Sequence, residues 1–376
     1  QRRNIGLAIF GLTATLAPTL GPTIGGWLTE NYGWRMVFLV NIVPGVILLT
    51  AISYALPYSR PQLNKLKKMD FLGAFCLIAG LATLTYILED GARLLWFADN
   101  HIRICSLVAL VTLPTFLVIQ FSRELPLLNL YLFKDRNFSI AALITLLSAV
   151  ALYGGVYCLS LYLSGIQNYG AVQIGSVMMW LGIPQLIVMP LMPLLMRRVN
   201  LKLLALIGLL LFAYSNQLNS FMTHDYSGDQ FRFSLFMRAL GQPLFMIPLS
   251  AIAMAMITPG EVGNASAIYN VMRNLGGSIG IALSGTVLIN RQAFHLSRHL
   301  EKLQIADLRF DEGMFLASKA LILGGKVDVG HAREESMRLG LLLAQRESLI
   351  QAFNDVFYLM SMGLIFCLLL VFLLRS

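Results

Sequence analysis

Runs of about 20 mostly apolar residues recur along this chain, and each is long enough to cross a hydrocarbon slab of roughly 30 Å. They fall near Ile5–Leu28, Met36–Leu56, Phe71–Leu88, Ile102–Phe121, Phe138–Leu163, Gln173–Met196, Leu201–Phe221, Phe233–Ile257, Asn264–Ile289 and Ile350–Leu374. In lipid each backbone N–H and C=O needs a partner within its own segment, so such runs are predicted to be helices. The composition agrees: 57% of the 376 residues are hydrophobic and 12% charged, about half the charged share of a soluble domain. The predicted class is an all-α polytopic membrane protein with about ten transmembrane helices. The first run is too long, and too rich in Gly and Pro, for a signal peptide.

A net charge of +9 could suggest a nucleic-acid partner, but its distribution argues against one. Arg2 and Arg3, then Arg60, Lys65, Lys67 and Lys68, then Arg123, Lys134 and Arg136, then Arg197, Arg198 and Lys202 fall in every second connection. The alternate short connections hold only Arg35, Arg93, Arg103 and Arg232. Basic residues mark cytoplasmic loops, so the N-terminus of the sequence and Arg375 at its C-terminus are expected in the cytoplasm. The charge is topological.

Cys76, Cys105, Cys158 and Cys367 all lie in apolar runs, with neither a disulfide framework nor metal spacing. They read as small buried hydrophobes, and no metal or cofactor is expected. Two connections break the rhythm. Tyr58–Met69 is basic, and Arg291 to Leu349 is long, mixed in charge and extracytoplasmic by the count of spans. Long loops escape the charge rule. Within the second, Arg291–Gln304 and His331–Arg346 read as amphipathic helix.

The sharpest pattern is Ala17-Pro18-Thr19-Leu20-Gly21-Pro22-Thr23-Ile24-Gly25-Gly26. Residues 17, 21 and 25 stack on one helix face and allow a neighbouring backbone to approach, while Pro18 and Pro22 remove i−4 hydrogen bonds and bend the helix. Such a face packs helices tightly, and its bend can also seal or open a route between bundles. Ala17, Gly21, Gly25 and Gly26 align without gaps on Gly276, Gly280, Ser284 and Gly285 of the ninth run. Internal repetition of this kind marks secondary transporters.

GPxxGG resembles the antiporter motif of drug exporters in the major facilitator superfamily. The run Asn31-Tyr32-Gly33-Trp34-Arg35, with Phe38, Asn41 and Pro44, is similar to the 14-helix drug:proton antiporter branch of EmrB/QacA type. So are Asp90-Gly91 with Trp96-Phe97, Leu132-Phe133-Lys134-Asp135-Arg136-Asn137-Phe138, and Asn270 with Arg273-Asn274-Leu275-Gly276-Gly277-Ser278-Ile279-Gly280. Arg238-Ala239-Leu240-Gly241 resembles the family's arginine motif. The resemblance covers almost the whole chain and implies a major facilitator fold. On the family pattern, residues 1–57 hold the last two helices of the N-terminal bundle, 58–122 a basic linker and two extra central helices, and 123–376 the C-terminal six-helix bundle with loop 291–349. Four helices precede the motif in the family, so the sequence is expected to be part of a longer chain. No Asp or Glu lies well inside any of the ten runs, and the proton-carrying group is expected in those four helices.

The polar residues that do lie inside are telling. On the ninth run, at 100° per residue, Ser266, Asn270, Arg273, Asn274, Gly277 and Ser284 share a face, and on the eighth Arg238 and Gln242 are one turn apart. A mid-helix arginine costs roughly 2.5–3.5 kcal/mol on insertion scales, so these residues are expected to face a cavity or a polar partner. Arg238, Gln242, Asn270, Arg273 and Asn274 form the predicted substrate cavity; the alternatives are that Arg273 bonds backbone carbonyls at a helix crossing and that Arg238, nearer a span end, snorkels to the interface. Gly276-Gly277-Ser278-Ile279-Gly280 also fits the G-x-S-x-G pattern, which needs a strand-to-helix elbow, not a mid-membrane helix. His295 and His299 are spaced like metal ligands, but no third ligand is evident.

The chain therefore reads as a transporter, not an enzyme: a proton-coupled exporter of amphiphilic compounds by alternating access, in a bacterial inner membrane. The partners implied are a small amphiphilic substrate, protons, the bilayer and, by resemblance, a periplasmic adaptor with an outer-membrane channel. Export of one metabolite or siderophore on the same scaffold, and a membrane receptor that transports nothing, are the alternatives.

Overall fold

Four helices start where the sequence supplies a side-chain cap. The carboxylates of Asp70, Asp99 and Asp135 and the amide oxygen of Asn200 accept from backbone N–H groups of the turns that follow them, each satisfying donors that a helix start leaves free. The computed structural model describes residues 21, 23–55, 70–123, 126–305 and 332–374. In chain order the helices are α1 (23–32), α2 (Met36–Ala55, interrupted by a turn at 40–41), α3 (Phe71–Asp90), α4 (Asn100–Ser122), α5 (Arg136–Gly165), α6 (Ala171–Arg198), α7 (Leu201–Asn219), α8 (Phe231–Met254), α9 (Val262–Ile305) and α10 (Ala332–Phe372). No strand occurs among the described residues.

Eight of these, α2 to α8 and α10, are long and apolar enough to cross a membrane, and the chain is an all-α polytopic membrane protein. α9 has the length, with 44 residues, but Asn264, Asn270, Arg273 and Asn274 dilute its apolar character. Both helices that flank the long loop run on beyond their spans. The stretches expected as separate amphipathic helices are continuous with α9 up to Ile305 and with α10 from Ala332. Ala17, Pro18 and Pro22 of the antiporter motif lie outside the described residues, as do all of Tyr58–Met69 and 306–331 of the long loop.

The core lies among α5, α7, α8, α9 and α10. Phe138, Leu159, Tyr162, Phe212, Phe231, Phe353 and Phe357 are fully buried there. Small residues bring the backbones together. A Cβ on Gly276 or Gly280 of α9 would collide with the carbonyl oxygen of Leu146 or Val150 on α5, and one on Gly154 of α5 would meet Ser284 Oγ. Gly208 of α7 and Gly241 of α8 meet in the same way. Two ties hold α10: Asn354 exchanges two hydrogen bonds with the backbone of Met222, just past α7, at 3.0 and 2.9 Å, and Lys202 Nζ of α7 donates to Leu374 O, just past α10, at 2.7 Å.

α3 and α4 form a hairpin whose tight point is Gly80 against Leu113. It docks on the bundle: Cys76 and Phe116 join the main core, and Ser278 Oγ of α9 donates to Glu89 Oε1 at 3.4 Å. At the other end of α3, buried Asp70 accepts from Gln120 Nε2 at 3.0 Å and pairs with Arg123 at 3.2 Å. Gln120 Oε1 in turn accepts from Leu128 N, fastening the hairpin to the approach to α5. Among the described residues α2 buries no side chain, and Phe38, Leu48 and Leu49 are exposed.

Candidate functional site

α1, α5, α6, α8 and α9 line a mainly apolar cavity of about 790 Å³, within the range of small-molecule sites. Its polar groups are few. Gln185 of α6 and Gln242 and Arg238 of α8 contribute, with Arg273 of α9 and the tyrosines Tyr153 and Tyr157 of α5. Three of the five residues predicted for a cavity, Arg238, Gln242 and Arg273, are thus brought together. Asn270 and Asn274 are not among the lining residues. They lie on exposed parts of α9, and Asn270 Nδ2 donates to Ser266 O within its own helix.

Arg238 is 1% exposed. Its Nη2 donates to Leu152 O on α5, its guanidinium carbon lies 5.2 Å from the Phe212 ring centroid, and its Nε finds no acceptor among the described residues. Gly155 makes this possible, because a Cβ there would come within 2.9 Å of Arg238 Nη1. The guanidinium therefore bonds a carbonyl at a helix crossing and borders the cavity at once. Arg273 has a buried Nε that is likewise unpartnered. Its helix meets α5 through Gly277, whose missing Cβ leaves room for the flat face of Tyr153. Among the described lining residues there are two arginines and no carboxylate, so the cavity carries positive charge in apolar surroundings, where charge is weakly screened.

Gln185 Nε2 donates to Gln242 Oε1 at 3.0 Å, and each glutamine neighbours a helix proline, Pro184 or Pro243. Prolines inside helices remove i−4 bonds and permit bends, so the two helices that carry the polar groups are locally loosened at cavity depth. Gly25, Gly26 and Thr29 of α1 line the opposite part. Gly26 is buried against α6, where a Cβ would strike the Ala171 carbonyl oxygen; among the described residues, nothing lies within 4 Å of a Cβ at Gly21 or Gly25. Sequence reasoning did not single out Tyr153 and Tyr157, although their i, i+4 spacing on a span was a usable signal.

The other motifs resolve as packing or surface features. Gly276 to Gly280 lie in the middle of α9 at the α5 crossing, far from a strand-to-helix elbow. His295 Nε2 and Arg291 Nε both lie 2.6 Å from Asp355 Oδ2, so His295 serves an ion cluster between α9 and α10. No group of three metal-ligating side chains occurs among the described residues.

Comparison with known proteins adds to this geometry. The family model described as Major Facilitator Superfamily matches residues 1–281. The colistin resistance protein EmrB of Acinetobacter baumannii is 34% identical over 297 residues, covering 79% of this chain and 58% of that protein. The fatty acid resistance protein FarB of Neisseria gonorrhoeae is 28% identical over 300 residues, covering 80% and 59%. The multidrug export protein EmrB of Escherichia coli is 27% identical over 297 residues, covering 78% and 57%. The chain thus spans about three fifths of the length of these curated relatives.

Proposed function

The chain belongs to the major facilitator superfamily, and on that premise we propose that its protein exports amphiphilic compounds by alternating access, coupled to proton entry. The observation that carries this reading is the cavity itself: about 790 Å³, mostly apolar, with Arg238, Gln242 and Arg273 converging on it. An apolar body with a polar or acidic head fits such a lining. Relatives named for multidrug export, colistin resistance and fatty acid resistance support the same class.

In this reading α1 and α2 belong to the N-terminal bundle, α3 and α4 are the extra central hairpin, and α5 to α10 make the C-terminal bundle. The cavity lies where α1 of one half meets α5, α6, α8 and α9 of the other. Closing and opening this seam at alternate ends moves the substrate, and the prolines of α6 and α8 give those helices local freedom. The basic connections support a cytoplasmic C-terminal end for α10 and a bacterial inner membrane as the setting. The extensions of α9 and α10 then project outward and offer a docking surface for a periplasmic adaptor, with an outer-membrane channel beyond it.

The test is efflux by the full-length protein in a susceptible double-membrane host. The reading expects resistance to amphiphilic compounds that disappears when the proton gradient is collapsed. Full-length protein that reaches the membrane yet lowers the accumulation of no amphiphile would overturn it.

A further inference from the structure

α6 starts at a residue that cannot cap it. Gly170 has no side chain, so the helix's first amides lack the oxygen that a Ser, Asp or Asn would present. Gln173 Oε1 reaches back to Gly170 N at 2.9 Å, which satisfies the cap residue's own N–H. The acceptor for the first turn comes from another helix. Val172 N donates to Glu30 Oε2 at 3.0 Å, across 142 positions of sequence. A carboxylate there also faces the positive end of the α6 dipole.

Glu30 is the last polar anchor of a crossing that runs along the cavity. Thr23 Oγ1 donates to Gly175 O at 3.3 Å, and Gly26 lies against the Ala171 backbone. Among the described residues, Thr23 and Glu30 supply the hydrogen bonds from α1 to α6. Gly26, Thr29, Ala171 and Gly175 are themselves cavity lining, so whatever holds this crossing together also holds the cavity wall where α1 stops and α6 begins.

We propose that Glu30 is a positioning residue for the transport cycle: its carboxylate caps α6 from α1 across the seam, holding this end of the cavity shut, and its release lets the two helices part. The inference rests on the alternating-access reading above. It is chemically economical, because one exposed carboxylate at a glycine-started helix can be gained or lost without unpacking the core. Loss of a side-chain cap typically shifts a conformational equilibrium about fivefold, enough to change how often the seam opens.

The experiment is electron–electron distance measurement on the full-length protein in nanodiscs. Spin labels go at Asn31 and Ser176 in a background with the protein's natural cysteines replaced by alanine. Glu30→Ala is expected to lower the ratio of short to long distances about fivefold, with the melting temperature unchanged. Glu30→Gln keeps an acceptor oxygen and is expected to restore most of the short population, a rescue that loss of packing would not show. If added amphiphile changes the wild-type distances but Glu30→Ala leaves the ratio as in wild type, the latch is refuted while the transport reading stands. If neither ligand nor any variant alters the distances, alternating access at this seam is refuted, and the latch with it.

Discussion

Gln185 of α6 donates to Gln242 Oε1 of α8 at 3.0 Å, one helical turn from the buried guanidinium of Arg238. Gln185 is 4% exposed, so removing its partner leaves a buried amide unsatisfied, at a cost of about 1–3 kcal/mol. Gln242→Leu is expected to lower the melting temperature in detergent by a few degrees. Gln185→Leu combined with Gln242→Leu removes both polar groups and is expected to recover most of that stability while export stays impaired. A double variant as unstable as the sum of the two single ones would show that the bond contributes nothing.

Two arginines and no carboxylate line the described part of the cavity, so anionic and neutral amphiphiles are expected to be preferred over dications. Arg273→Ala should reduce export of weak acids about tenfold, the size of one lost charge-assisted hydrogen bond. Arg273→Lys should retain part of it. Susceptibility profiles of cells carrying each variant check this. Protection by the wild type against divalent cations alone, or unchanged export of weak acids by Arg273→Ala, would refute it.

Gly276 and Gly280 place α9 directly on the α5 backbone, where any side chain must push the helices apart. Gly280→Val is expected to destabilise the bundle by about 1–3 kcal/mol, the usual range for overpacking. Gly340→Val is the control, since among the described residues nothing lies within 4 Å of that glycine's missing Cβ. Thermal melting of the two purified variants is the comparison, with the α9 variant melting well below the α10 one.

Deleting Leu303–Arg338 removes the tips of the α9 and α10 extensions and the segment between them. Because the tie between α10 and α7 at Asn354 and Met222 lies below the cut, insertion and substrate binding are expected to survive. Co-purification of a periplasmic adaptor and resistance in cells are expected to vanish. Full resistance of a double-membrane host carrying the deletion would rule out the docking role and leave the segment as a lid.

Much of this architecture was legible from hydropathy. The expected runs Phe71–Leu88, Ile102–Phe121 and Leu201–Phe221 match α3, α4 and α7 to within two residues at each end, because the bilayer leaves a long apolar segment no alternative to a helix. The run of α9 past Ile289 was harder to see. Its apolar content falls there, but no Gly or Pro interrupts the segment to Ile305, so the helix simply continues. In the site, intramembrane polarity singled out Arg238, Gln242 and Arg273, which the fold brings to one cavity. It could not separate them from Asn270 and Asn274, because sharing a helix face says nothing of depth along the neighbouring helices. Glu30 was illegible for a different reason. Its partner is a backbone N–H beside Gly170, and only the tertiary crossing brings the two together.

The central claim is that the cavity among α1, α5, α6, α8 and α9 is the transport path. Ser160 lines it from α5, so a single cysteine there, introduced as Ser160→Cys into full-length protein without its natural cysteines, reports which side the cavity opens to. The measurement is labelling by a membrane-impermeant maleimide in right-side-out and in inside-out vesicles, with and without amphiphile and a proton gradient. The account predicts labelling from both sides, protection by bound amphiphile, and a shift between sides when the gradient is imposed. Labelling from one side alone, indifferent to amphiphile and gradient, would contradict it.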